Sequence, residues 1–243
     1  MPLLDALHPE FPDPGSALSE PDGLLAIGGN LNSSTLINAY SRGIFPWYEQ
    51  GQPILWWSPS VRAALTPGHE YITRSMAKIL AKGQFNVTTD TAFEQVIAAC
   101  AGPRRGTSGT WITPAMEQAY CRLHRLGHAH SVECWQNEKL VGGLYGLQVG
   151  GIFCGESMFS RTSNASKVAF ILLSQTLARQ GFVLIDCQVP NSHLQSLGVQ
   201  ALQRETFLSL LAIHKNTALS WPASNEFART SAMLGSQQWS TQP

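Results

Sequence analysis

Residues 182–189 read Phe182-Val-Leu-Ile-Asp-Cys-Gln-Val189. So apolar a run describes a strand buried on both faces, of the kind found inside a sheet covered by helices. Upstream, Gly181 stops a helix expected over 165–179. Before that helix come strands expected over 131–136 and 140–149, the second interrupted by glycines, and a short one over 151–153. Downstream, Gly198 precedes a further strand, and 205–214 reads as a helix. Strands, a helix and then a buried strand predict an α+β domain, with an α/β-type sheet of mixed pairing.

The stretch leading into that helix is Phe153-Cys-Gly-Glu-Ser-Met-Phe-Ser-Arg-Thr-Ser-Asn-Ala-Ser-Lys167. Glu156 stands among Phe153, Cys154, Met158 and Phe159, while Gly155 and Ser157 leave room for close approach. An isolated carboxylate in apolar surroundings is costly to bury, so its presence at a strand-to-helix crossing suggests a ligand pocket. The structural alternative is a carboxylate satisfied by neighbouring hydroxyls such as Ser157 or Ser160.

The 243 residues are 44% hydrophobic and 13% charged, enough to bury a large core. No run of 18 apolar residues predicts a transmembrane helix, and residues 1–10 lack signal-peptide character. Five cysteines, none spaced Cys-x-x-Cys, predict reduced thiols in a cytoplasmic protein and argue against a zinc site. The net charge of zero is unevenly spread: −5 over 1–61, +4 over 62–130 and +1 over 131–243. A basic middle in a neutral protein suits contact with a polyanion, and equally describes scattered solvated charges.

Residues 1–62 are rich in Pro, Gly and aromatics and are expected to form a small N-terminal domain, with a helix over 34–42 stopped by Gly43. Trp47, Trp56 and Trp57 fall within eleven residues. They serve either as a compact core or as a stacking wall for a base. A helix over 75–82 places Arg74, Lys78 and Lys82 on one face, opposite Ile72, Met76, Ile79 and Leu80. That stripe is either a solvated face or a phosphate contact. Helices are expected over 91–101 and 114–126, the second opened by Thr113 and Pro114. The second domain is expected over 63–243, with a loosely ordered tail from about 223.

Eight motifs occur in order: Phe45-Pro-Trp47, Trp56-Trp-Ser-Pro59, Gly109-Thr-Trp-Ile112, Gly127-His-Ala-His-Ser131, Leu140-Val-Gly-Gly143, Gly155-Glu-Ser-Met-Phe-Ser160, Asn164-Ala-Ser-Lys167 and Asp186-Cys-Gln188. Together they resemble the bacterial leucyl/phenylalanyl-tRNA–protein transferases from about Phe11 to Phe207. Asn30 and Ser60 depart from that pattern, and the last twenty or so residues match little. The resemblance implies an acyltransferase domain like the GCN5-related N-acetyltransferases behind the small N-terminal domain. It implies transfer of leucine or phenylalanine from Leu-tRNA or Phe-tRNA to proteins bearing N-terminal Arg or Lys; because an apolar pocket discriminates by only about 1–3 kcal/mol per methylene, Met-tRNA is expected as a further donor. The products are then marked for N-end rule degradation. No cofactor, metal or membrane is implied, and a monomer is expected.

The resemblance assigns the chemistry to Asp186 and Gln188, with Asp186 polarising Gln188 and Gln188 drawing the proton of the attacking amine. The two lie two apart on a strand and so project from one face. Glu156 and Ser160 are expected at the substrate, Glu156 beside the basic N-terminus of the acceptor. Leu144, Phe153, Met158, Phe170 and Leu173 are expected to hold the Leu or Phe side chain, a pocket that a flexible methionine adapts to both shapes. Trp47 and Trp111 are expected to stack on the terminal adenosine of the tRNA. Arg74, Lys78 and Lys82, with Arg104 and Arg105 as a second set, are expected on its phosphates. Three other readings compete. A coenzyme-A-dependent N-acyltransferase would use the loop Arg104-Arg-Gly-Thr-Ser-Gly109, a thiol hydrolase would use Cys154 or Cys187, and a tRNA-binding module would have no catalysis.

Overall fold

The structure is a computed structural model that describes residues 1–102 and 111–236. Two sheets organise it. The smaller is built from β1 (Leu3–Leu4), β2 (Leu24–Gly28), β3 (Phe45–Pro46) and β4 (Leu55–Trp57), in the order β1-β2-β4-β3, with α1 (Ser33–Tyr40) between β2 and β3. The larger begins at β5 (Val61–Leu65), only a few residues later. There follow α2 (Arg74–Lys82), β6 (Asn86–Thr89), α3 (Phe93–Ala101), α4 (Pro114–Arg125), β7 (Ala129–Gln136), β8 (Lys139–Val149) and β9 (Ile152–Ser160). The chain then forms α5 (Ala165–Arg179), β10 (Leu184–Gln188), α6 (Ser192–Gln195), β11 (Gln200–Gln203), α7 (Arg204–His214) and α8 (Ser224–Ser236).

The larger sheet runs β11-β5-β10-β9-β8-β7-β6, and its one parallel pair is β9 with β10, joined by α5 as the crossover. The mixed α+β sheet expected from the sequence is therefore present. Its strands alternate between two cores. Tyr145, Ile152, Cys154 and Leu184 face α3, α4 and the N-terminal part. Leu144, Phe153 and Ile185 face α5. A period of two on strands buried on both sides is what makes 182–189 read as continuously apolar. The first core joins both sheets, with Leu25, Tyr40 and Trp56 packed in one cluster with Phe93 and Tyr145.

Two expectations need correction. The strand expected to stop at Phe153 continues to Ser160, so Glu156 lies within β9 rather than at a crossing into α5. The segment from 223, expected to be loose, forms α8. Its Phe227, Thr230 and Leu234 are buried in packing against α2, β6 and α5. Those three positions recur at helical spacing inside a largely polar sequence, and the polarity of the other face hides them.

Candidate active site

Two interruptions of regular pairing build the site. Between β8 and β9, Tyr145 pairs with Ser157 and Gly146 with Gly155, which leaves Glu156 as the extra residue of a bulge. Between β5 and β10, Asp186 pairs with Ala64 and Gln188 with Ala63, which leaves Cys187 extra. The parallel register of β9 with β10 ends at Asp186 opposite Cys154. Beyond that point the two strands part, and Glu156 and Gln188 meet across the opening. Gln188 has a left-handed backbone at φ 61°, a conformation that costs a non-glycine residue and needs support. Asp186 supplies it, since Oδ1 accepts the Gln188 N–H at 3.0 Å.

Asp186 is itself gripped from below. Arg62 donates from Nε to Oδ1 and from Nη2 to Oδ2, each at 2.8 Å, and from Nη1 to the Gly43 carbonyl at 3.0 Å. Phe45 and Phe207 lie against the guanidinium at 4.8 and 4.4 Å from their ring centres. The pair is sealed from solvent and does not line the cavity. Asp186 therefore contacts the backbone of Gln188 and not its side chain. The Gln188 amide instead donates from Nε2 to Glu156 Oε1 at 2.6 Å.

Glu156 collects two more donors from distant segments. The Tyr40 hydroxyl, from the end of α1, reaches Oε1 at 2.6 Å, and the Tyr120 hydroxyl, from α4, reaches Oε2 at 3.0 Å. Burial raises the Glu156 carboxyl from its ordinary 4.5 to about 7, against the lowering effect of the three donors, and the nearby Asp186 charge adds to the rise. The two phenols are pushed well above their ordinary range, first by burial and then by Glu156.

A cavity of about 400 Å³ opens at these groups. Leu144, Phe153, Met158, Phe170 and Leu173 line its apolar part, Trp47 and Trp111 its mouth, and Glu156 and Gln188 the polar seam between them. Nine of the residues singled out from sequence are thus brought to one cavity. Others are not. Ser160 is exposed, bonds to the Thr162 carbonyl at 2.7 Å and accepts from the Ser166 N–H at the start of α5. Arg74, Lys78 and Lys82 are exposed along α2, outside the cavity lining. Arg104, Arg105 and the loop through Gly109 lie outside the described residues. The tryptophans divide: Trp56 is core, edge-on to Phe11 at 4.7 Å, while Trp47 is 41% exposed and backed by Trp57. Burial pushes the thiols of Cys154 and Cys187 upward, which weighs against the thiol hydrolase reading.

Sequence reasoning missed Arg62, Tyr40 and Tyr120. Arg62 had a signal, as the lone charge in the apolar run Val61-Arg-Ala-Ala-Leu65. The tyrosines had none, since their partner is brought to them only by the fold.

A largely apolar hollow that ends on a hydrogen-bonded carboxylate and amide suits an enzyme that seats an apolar group beside a reacting polar centre, and the transferases are such a class. The family described as leucyl/phenylalanyl-tRNA protein transferase matches residues 64–212, and its N-terminal domain matches 29–60. A protein named leucyl/phenylalanyl-tRNA–protein transferase from Shewanella pealeana is 57% identical over 202 residues, covering 83% of this chain and 86% of its own. One of the same name from Pseudomonas putida is 54% identical over 215 residues, covering 88% and 95%. This chain belongs to the leucyl/phenylalanyl-tRNA protein transferase family. Among solved structures, L-PGS from Bacillus licheniformis aligns at TM-score 0.39 and 13% identity, over 69% of this chain and 54% of that one. So distant a likeness adds nothing to the sheet order given above.

Proposed function

We propose that the protein moves a leucyl or phenylalanyl group from the 3′ end of an aminoacyl-tRNA to the α-amine of an acceptor protein beginning with Arg or Lys. The nitrogen attacks the ester carbonyl, the new C–N bond forms, and the C–O bond to the terminal ribose breaks. The proton lost by nitrogen balances the one gained by the ribose oxygen. The ester is already activated, so the protein supplies orientation, proton handling and stabilisation of charge. The apolar part of the cavity receives the amino-acid side chain, and Trp47 and Trp111 flank the terminal adenosine.

The observation that carries this reading is the anchored amide. With Nε2 fixed on Glu156 and its backbone fixed on Asp186, Gln188 offers its carbonyl oxygen as the acceptor for an amine N–H. An amide is a weak base, so its role is to aim the amine, and Asp186 is a positioning residue. Glu156 faces the cationic N-terminus of the acceptor. Arg74, Lys78 and Lys82 hold acceptor-stem phosphates without reading sequence. The segments 1–62 and 63–243 act as two domains with one site at their seam, to which the first contributes Tyr40. Met-tRNA is a further donor, the protein works as a cytoplasmic monomer, and its products enter N-end rule degradation. Among the described residues no helix is long and apolar enough to cross a membrane.

The test is direct. Purified protein with labelled Leu-tRNA is expected to label a substrate beginning with Arg and to leave one beginning with Ala unlabelled. Absence of transfer to the Arg substrate defeats the proposal.

A further inference from the structure

The rim of the cavity carries two basic side chains that the chemistry above does not use. α5 sends Phe170 and Leu173 to the cavity, and Lys167 precedes Phe170 by three positions, so it extends the same helix face by one turn. His193, on the short α6, lines the cavity and is exposed. α6 is pinned there by Leu194, which is buried at the cavity, and by Asn191, whose Oδ1 accepts the Leu194 N–H at 2.9 Å. The two basic groups are neighbours: the His193 imidazole is held below its ordinary 6.5 by partial burial first and by the Lys167 charge second.

Neither placement serves the fold. Lys167 stands half-buried in the first turn of α5, where the positive end of the helix repels a cation, and no acid shares that turn. Among the described residues neither Lys167 nor His193 has an ion-pair or side-chain hydrogen-bond partner. The acids of the neighbouring elements are engaged elsewhere. Glu156 on β9 meets Tyr40, Tyr120 and Gln188, Asp186 on β10 meets Arg62, and Glu70 meets Ser174 and Gln175 two turns further along α5. Arg161, after β9, lies against Phe159 and donates to the Leu140 carbonyl at 3.4 Å. The sequence of 103–110 and 237–243 contains no Asp or Glu. The rim is thus positive, with no counter-charge among the described residues, beside a cavity that ends on a polar seam.

We propose that Lys167 and His193 grip a phosphodiester of the unpaired 3′ end of the donor tRNA. The assignment rests on the function proposed above. Once the amino-acid side chain fills the apolar part of the cavity, the 5′ phosphate of the terminal nucleotide stands one ribose away from the ester, at the rim. A phosphate there accepts from the Lys167 ammonium and from a protonated His193, and it turns their mutual repulsion into two attractive, charge-assisted contacts. The grip holds the ribose, and with it the ester, against the Glu156–Gln188 seam without reading a base. It is separate from the α2 stripe, which lies outside the cavity lining.

Two measurements test the proposal. The first compares transfer from leucyl-tRNA with transfer from leucyl-adenosine, which keeps the ester and has no phosphate. Lys167→Ala is expected to raise KM for leucyl-tRNA about tenfold more than for leucyl-adenosine, and Lys167→Arg to restore it. Equal loss with both donors, or no loss with either, overturns the grip. The second needs no transfer. The His193 imidazole, identified in NMR spectra by its loss in His193→Gln, is followed while the trinucleotide CCA or adenosine is added to the full chain. It is expected to titrate at higher pH with CCA bound and to be unmoved by adenosine, because a nearby anion favours the protonated ring. Failure of CCA to bind, or binding that leaves the titration unmoved, overturns the grip. A protein that transfers from neither donor but shows the shift with CCA defeats the assigned transfer and leaves the phosphate site standing.

Discussion

Arg62 and Asp186 form a two-point ion pair, Nε to Oδ1 and Nη2 to Oδ2 at 2.8 Å each, with neither side chain reaching solvent. Asp186 in turn carries the strained backbone of Gln188. Removing the aspartate therefore does two things. Asp186→Ala leaves a guanidinium buried without its partner, which costs on the order of 3–5 kcal/mol. It also frees Gln188. The expected outcome is a marked loss of thermal stability together with turnover reduced far more than tRNA affinity. The double replacement Arg62→Leu with Asp186→Leu should recover most of the stability and none of the turnover, as read by thermal melts beside transfer assays. If turnover returns with stability, Asp186 has no positioning role.

Glu156 makes stability depend on pH with a defined sign. Its carboxyl binds a proton more tightly folded, at about 7, than unfolded, at 4.5. The contribution is complete below the unfolded value and is lost as pH rises through the folded one, up to an order of 3 kcal/mol. Denaturant titrations at pH 5.5 and 8.5 are expected to show wild type losing more stability on going to alkaline pH than Glu156→Gln does. Parallel behaviour of the two proteins would count against a proton-holding carboxyl.

The floor of the cavity has a brace outside the family match. Phe153 lies against Trp221 at 5.1 Å between ring centres. Trp221 is held by a stack on His130 at 4.3 Å and by a 2.7 Å bond from Nε1 to Thr89. Trp221→Leu should let the Phe153 ring retreat and deepen the pocket. Transfer from Phe-tRNA relative to Leu-tRNA is then expected to rise several-fold. The apolar discrimination at stake is about 1–3 kcal/mol. A uniform fall for both donors would reduce Trp221 to ordinary packing. On the other side, a Cβ on Gly146 would stand 2.6 Å from Phe153 Cζ and 2.2 Å from the Cys154 carbonyl, so Gly146→Ala should cost both stability and Phe transfer.

The α2 stripe is exposed and separate from the cavity, which makes it a clean test of tRNA contact. Reversing Arg74, Lys78 and Lys82 to Glu should weaken tRNA binding and lower the slope of log affinity against log salt by about 2–3. Folding should be unaffected, and transfer at saturating tRNA should persist. Normal binding by the triple variant would remove the stripe from the interface.

The elements of this protein were legible in its sequence because helices and strands follow local periodicity. The α5 helix lies where the sequence put it, and β7, β8 and β10 differ from expectation by a residue or two. The cavity lining was legible as well, since Leu144, Phe153, Met158, Phe170 and Leu173 come from motif-bearing strands and the helix that connects them. What failed was the character of the strands that carry Glu156, Asp186 and Gln188. Asp186 and Gln188 read from sequence as neighbours on one regular face, and Glu156 as part of a crossing between strand and helix. Both strands carry an extra residue at those points, and a bulge depends on the partner strand, which a single strand's pattern does not contain. The roles of the charged groups were beyond the sequence for the same reason. Glu156 finds Tyr40 across 116 positions of chain, and Asp186 finds Arg62 across 124. The sequence by itself determined which side chains would be apolar, stacked or charged, through their own chemistry. Tertiary structure alone decided that Asp186 meets a fixed cation while Glu156 meets only neutral hydroxyl and amide donors, because that depends on what the fold places within 3 Å of each.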